Sequence, residues 1–209
     1  MKSIHTLFPK SKEELKDMIE DEIKRQGDNA DLNHICVSGI TDFKGLFMNS
    51  TFNGNISEWD VSAAIDMSYM FLHSSFNSDI SGWDVSNVTY MSYMFRSAKS
   101  FNQDLSGWDV SNVKNMESMF ESSIFNGDIS TWDVRNVTNM SGMFSMSNFN
   151  GKLKSWNVKN VTDMSDMFER NESFNQDISS WNASNVKSYY NVFKDCPCPK
   201  EYRPKFKRH

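Results

Sequence analysis

The chain has 209 residues, 38% of them hydrophobic, and a formal net charge of -5. The length allows one large domain or two small ones, and the acidic balance argues against a general nucleic-acid binder. Three cysteines, Cys36, Cys196 and Cys198, are too few for a disulfide framework, and no stretch reaches the ~18 apolar residues of a membrane span.

Residues 1–9 contain no long apolar run followed by small residues, so no secretory signal is read there and a cytoplasmic protein is the default expectation. Residues 10–26 are expected to form one helix. Ser11 with Glu14 fits a capping box and Gly27 a stop. Leu15, Met18, Ile19 and Ile23 fall on one face, as they would in a helix that covers the end of a repeat stack. A helix offered to a partner is the alternative.

From residue 28 to residue 193 the chain is repetitive. Trp59, Trp83, Trp108, Trp132, Trp156 and Trp181 recur every 24 or 25 residues, a period typical of solenoids, in which each repeat is one coil. With each Trp as position 0, a Phe-Asn pair stands seven residues before it and a Phe twelve after it. Setting Ile35 at 0 places Leu32, Val37, Ile40, Phe43, Leu46 and Phe47 on the same apolar positions, so 28–47 is a disguised first coil and the total is seven. The length variation falls between the last Phe and the next Phe-Asn, as at 96–100, where a surface loop absorbs it.

Within a coil, Leu105, Trp108, Val110 and Val113 have the spacing of a leucine-rich-repeat strand, and Met116, Met119 and Phe120 that of a short helical turn. The fold class expected is therefore a leucine-rich-repeat-like solenoid of short parallel strands and short helical turns. It has three parts: an N-terminal helix over 1–27, seven coils over 28–193, and a tail over 194–209. The tail is basic, with Lys200, Arg203, Lys205, Lys207 and Arg208, and its Pro197, Pro199 and Pro204 forbid regular pairing. Two arrangements stand for it: folded over the last coil through Tyr202 and Phe206, or loose.

The unit F-N-x-D-[IL]-S-x-W-D-V-S-N-V-T-x-M-S-x-M-F resembles the DUF285 repeat of BspA-like leucine-rich-repeat surface proteins over roughly residues 28–200. Residues 127–134 and 136–140 match it nearly letter for letter. The resemblance implies a leucine-rich-repeat-like solenoid, a surface protein that binds host or matrix proteins, and no catalytic residues. It makes the cell surface, or secretion, the alternative to a cytoplasmic location.

Several columns invite a functional reading. The Met columns, Met67 to Met164 and Met70 to Met167, read as core filling rather than a metal or Met-rich groove. Asn53, Asn77, Asn102, Asn126, Asn150 and Asn175 read as a ladder that bonds turning backbone. Asp60, Asp84, Asp109 and Asp133, continued by Asn157 and Asn182, stand one after Trp. If Trp points inward this column points outward, and stacked carboxylates repel unless serines, a cation or a basic partner offset them. This column is the candidate partner-binding face.

His5, His34, His73 and His209 share no repeat position, and no Ser-His-Asp spacing, HExxH or phosphate loop occurs. Cys196 and Cys198 resemble half a metal site without its second pair. Asn87, Asn136 and Asn160 begin glycosylation triplets that the repeat itself generates. No catalytic residue, metal or cofactor is assigned, and the expected function is non-catalytic binding of a protein partner. The alternative is a metal-dependent hydrolase using the Asp rows, including Asp79, Asp104, Asp128 and Asp177. The coils are all nearly one length, leaving no insertion to build its pocket. A third reading, an ice- or crystal-surface binder, needs a denser Thr array than Thr89, Thr138 and Thr162.

Overall fold

The computed structural model describes residues 4–207. Arg208 and His209, counted above with the tail and the histidines, lie outside the described residues. One α-helix, α1 (Lys12–Gln26), precedes the repeats, and a 3-10 turn (Lys200–Tyr202) follows them. Between them seven coils stack, each almost entirely hydrogen-bonded turns.

α1 begins where its cap dictates. The Ser11 side chain accepts from the Glu14 N–H, Glu13 and Glu14 occupy the first turn and Lys24 and Arg25 the last, and Gly27 closes the helix at φ 83°. The Glu14 carboxylate accepts from the Lys10 N–H at 2.8 Å, one residue earlier than a capping box requires. Leu15 and Ile19 are buried against the first coil. Ahead of α1, Leu7 forms a parallel bridge with Ile35.

The expected leucine-rich-repeat-like solenoid of strands and helical turns does not form. Among the described residues there is no strand, and coils touch through isolated parallel bridges, one residue each. The longest such series runs Asp42, Asp66, Tyr90, Asn115, Asn139, Asp163, Ser188, all at position +7 or its equivalent. The backbone donors explain the absence. In the segment read as a strand, the Trp108 N–H donates to the Leu105 carbonyl and the Val113 N–H to the Val110 carbonyl. The Ser106 and Ser111 N–H groups donate to Oδ1 of Asp104 and Asp109. These local bonds capture donors a strand ladder needs, which is how Asp and Asn side chains compete with regular structure. Trp108 and Val110 are nonetheless buried with exposed Asp109 between them.

The helical turn fails for a different reason. Ser118, between Met116 and Met119, has φ 50°, and the equivalent residue of every coil is also left-handed, as at Tyr69, Tyr93, Gly142 and Asp166. A second left-handed residue follows four positions later, as at Ser122 and Met146. A left-handed third residue marks a type II turn. Here such turns run consecutively, with N–H groups alternating between two destinations. Met119 donates back to Met116, while Met116, Ser118, Phe120 and Ser122 donate to carbonyls of the next coil. The same four donors, at +8, +10, +12 and +14, recur at all six junctions.

Side chains complete the stack. Phe47, Phe71, Phe95, Phe120, Phe144, Phe168 and Phe193 form a column with centroids 5.5–5.9 Å apart. Each Trp Nε1 donates to a carbonyl of the preceding coil, Trp108 to Ile80 at 3.1 Å and Trp156 to Ile129 at 3.0 Å. A large buried side chain and its polar atom are thus satisfied across the same junction. The Met columns are fully buried core. At the far end the tail folds over the last coil. The Ile178 N–H donates to the Tyr202 carbonyl, Phe206 stacks on Tyr189 at 4.7 Å, and the Arg203 guanidinium lies 4.7 Å over Phe193.

Candidate functional site

The surface has two faces with different rules. One carries the Asp columns, and there side chain and turn are coupled. Asp60, Asp84 and Asp109 accept from the N–H of Ser62, Ser86 and Ser111, and Asp133 from the N–H of Arg135. Asn157 and Asn182 accept from Lys159 and Ser184 in the same way. All six candidate residues are therefore brought into one row, and each also holds its own turn. Hydrogen bonds from the Ser86 side chain and backbone keep the Asp84 carboxyl below its usual range. The Asp133 carboxyl is lowered chiefly by the Arg135 side chain. The serine and arginine donors of these turns hold the charge of Asp84 and Asp133, so no outside cation is required there.

The second acid row stands four residues before Trp83, Trp108, Trp132 and Trp181. Backbone donors from Ser81, Ser106 and Ser130 hold Asp79, Asp104 and Asp128 low, against smaller repulsion from the next acid in the cases of Asp79 and Asp104. Asp177 is lowered first by Lys154, whose Nζ lies 2.7 Å from Oδ2. Among the described residues no three His, Cys, Asp or Glu side chains are grouped to hold a metal ion. Burial pushes the Cys198 thiol up to about 11 and raises Cys196 as well, which suppresses the thiolate that binds metals or reacts.

The asparagines are structural on both sides of the coil. The Asn102 N–H donates to Asn77 Oδ1, and Asn102 Oδ1 accepts from the Asn126 N–H, so the ladder passes from coil to coil. Asn87, Asn136 and Asn160, the first residues of the glycosylation triplets, donate Nδ2 to the carbonyls of Ser62, Ser111 and Arg135.

The other face is the row of type II turns, and the reading of the sequence missed it. At +9, +10, +13 and +14 the residue changes from coil to coil. It reads Ser68, Tyr69, Leu72, His73, then Ser92, Tyr93, Arg96, Ser97, then Glu117, Ser118, Glu121, Ser122, then Ser141, Gly142, Ser145, Met146. The backbone beneath is held by the junction hydrogen bonds whatever the side chain. Tyr69 and Tyr93 stack at 4.8 Å with planes 8° apart, Lys44 Nζ lies 5.6 Å over the first ring, and the Arg96 guanidinium lies 5.5 Å over the second. The Tyr93 hydroxyl donates to Glu117, and Arg96 pairs with Glu121 at 2.9 Å. Burial first, then the Glu117 carboxylate, pushes the Tyr93 hydroxyl up to about 12. Arg96 Nε is buried with no hydrogen-bond partner among the described residues. Beside this cluster lies a polar hollow of about 230 Å³ lined by Glu117, Glu121, Asp166 and Glu169. The signal that would have revealed this face is within the repeats themselves: these four positions change from coil to coil beside the constant Met and Phe columns.

The family model described as "Mycoplasma protein of unknown function, DUF285" matches residues 13–126 and 121–200. No curated protein and no solved structure matches the chain. No helix among the described residues is long and apolar enough to cross a membrane.

Proposed function

The chain belongs to the DUF285 family of proteins of unknown function, and we propose that it is a non-catalytic scaffold that binds a protein partner through its turn face. The observation that carries this reading is the left-handed pair Tyr69 and Tyr93, at φ 62° and 60°. A bulky residue in that region costs energy that glycine would not incur, and glycine stands at the equivalent positions Gly45 and Gly142. Two tyrosines kept at a strained position, stacked on each other and flanked by Lys44, Arg96 and Glu117, are better explained by their surface than by the turn. Aromatic and Arg side chains are also those that dominate protein interfaces. The Asp face supports binding less directly, because its carboxylates already serve the turns.

Two variants separate the faces. Tyr69→Ala/Tyr93→Ala removes the aromatic platform, and Asp84→Asn/Asp109→Asn/Asp133→Asn neutralises the acid row while preserving its acceptors. Affinity capture followed by titration with the captured protein is expected to show loss for the first variant and retention for the second, both folded by circular dichroism. Equal binding by the first variant and the parent refutes the assignment to the turn face. Loss confined to the second returns the site to Asp84, Asp109 and Asp133.

A further inference from the structure

The two ends of the stack are complementary at the level of the backbone. At every internal junction, donors at +8, +10, +12 and +14 meet carbonyls at +7, +9, +11 and +13 of the next coil. The last coil has the donors and no next coil among the described residues. The N–H groups of Tyr189, Asn191, Phe193 and Asp195 make no hydrogen bond among the described residues. The first coil has the matching acceptors: the carbonyls of Asp42, Lys44, Leu46 and Met48 likewise accept none.

The tail covers the apolar end of the last coil through Phe206 and Arg203 but leaves its rim open. A shallow space of about 350 Å³ lies along Lys187, Ser188, Tyr189 and Tyr190, and Tyr190 is 62% exposed. The charges of the two ends are also opposite. Residues 187–207 carry six basic against two acidic side chains, whereas residues 12–26 carry six acidic against four basic.

We propose that the C-terminal rim docks the N-terminal coil of a second copy of this chain, head to tail, through these four donors and four carbonyls. An ordinary extended peptide fits less well, since each donor pair is drawn together by an intervening turn, as where the Lys194 N–H donates to Asn191. Only a chain with the same turn rhythm presents carbonyls at that spacing, and the first coil of another copy does. The contact is heterologous, so it leads to a ring or an open series rather than a two-fold dimer, and an unpaired edge of this kind is a template for pairing. α1 stands beside the acceptor row, separated from residues 45–50 by a groove of about 280 Å³ lined by Lys16, Glu20 and Ile23.

The test uses the full chain. Amide hydrogen exchange is followed at low and high protein concentration, beside sedimentation velocity. Exchange at Tyr189, Asn191, Phe193 and Asp195 is expected to slow as concentration rises, together with growth in mass that added salt reverses. The variant Lys187→Glu/Lys205→Glu, both exposed, is expected to lose the growth in mass and keep its melting temperature. A chain that stays monomeric with unchanged exchange overturns the proposal. So does association without protection of those four amides, which places the contact elsewhere. Protection at every concentration overturns it too, because the tail would then close the rim.

Discussion

Trp156→Phe measures what one junction contributes. Trp156 is 3% exposed, lies between Trp132 at 6.5 Å and Trp181 at 6.3 Å with planes within 5°, and donates Nε1 to Ile129 at 3.0 Å. Phenylalanine keeps an aromatic ring and removes the donor. The Ile129 carbonyl retains its bond from the Trp132 N–H at 3.2 Å, so it is not orphaned, and the lost hydrogen bond costs about 1 kcal/mol. Replacing indole with phenyl loosens contacts to both neighbouring tryptophans, for about another 1 kcal/mol. The sum of about 2 kcal/mol corresponds to a fall of about 4–8 °C in melting temperature for a chain of this size. Trp156→Ala, which leaves a cavity, is expected to cost about 3–5 kcal/mol. Trp181→Phe, stacked on one side only, is expected to cost less than Trp156→Phe. Urea titration monitored by circular dichroism gives all three values. A Trp156→Phe variant within experimental error of the parent would show that the Nε1 bond and the stack contribute nothing, and the account of the junction would fail with it.

The remaining predictions concern turns and charge. Met146→Gly, at an exposed position with φ 52°, is expected to raise stability by about 0.5 kcal/mol as strain relief outweighs the flexibility of glycine in the unfolded chain. Gly142→Ala is expected to lower it, because its Cβ would stand 2.7 Å from Ser118 Oγ at φ 63°; Ser118→Ala should recover part of the loss, and chemical denaturation reads both. The carboxyls of Asp79, Asp84 and Asp133 are depressed in the folded state, so their stabilisation is complete above the ordinary Asp range near pH 4 and lost as pH falls through the lower folded values. Melting temperature is therefore expected to be flat above that range and to decline below it, and Asp84→Asn/Asp133→Asn to flatten the decline. A decline of equal depth in the variant would mean other groups control it. Asn102→Ala removes the acceptor for the Asn126 N–H and is expected to destabilise, whereas Asp109→Asn is not, since Asn157 and Asn182 already do the same work; thermal melts compare them.

Side-chain periodicity was legible and backbone conformation was not. The Trp, Phe and Met positions marked the core columns, because burial follows position in the repeat regardless of how the chain gets there. Alternation of Trp108, Asp109 and Val110 is consistent with a strand, and with a turn that faces the same way. What separates them is the destination of each N–H, and the sequence does contain that information in the Asp or Asn two residues before Ser, as at Asp104, Asp109 and Asn139. The left-handed positions were illegible for another reason. They are filled by Ser, Tyr, His, Asp, Arg, Met and Asn, and only Gly45 and Gly142 among them carry the usual mark.

That departure from glycine separates holding the fold from displaying a surface. In a strand ladder, replacing a residue changes the propensity of the strand itself. In these coils the +10 backbone is fixed by one bond to the next coil, Tyr93 N–H to Glu117 and Ser118 N–H to Ser141 at 2.8 Å each, and by rings and methionines beneath it. The left-handed strain is offset by that sum, so residues as different as Tyr69, Ser118, Gly142 and Asp166 stand there, and the choice among them answers in part to something outside the fold. The Asp columns lack that freedom, since their oxygens are part of the turn. An exchange of +10 residues between coils, such as Tyr93→Ser with Ser118→Tyr, is therefore expected to keep the chain folded while breaking up the stacked pair of Tyr69 and Tyr93. Unfolding of the exchanged chain would show that Tyr93 serves its own coil, and the face would then be structural after all.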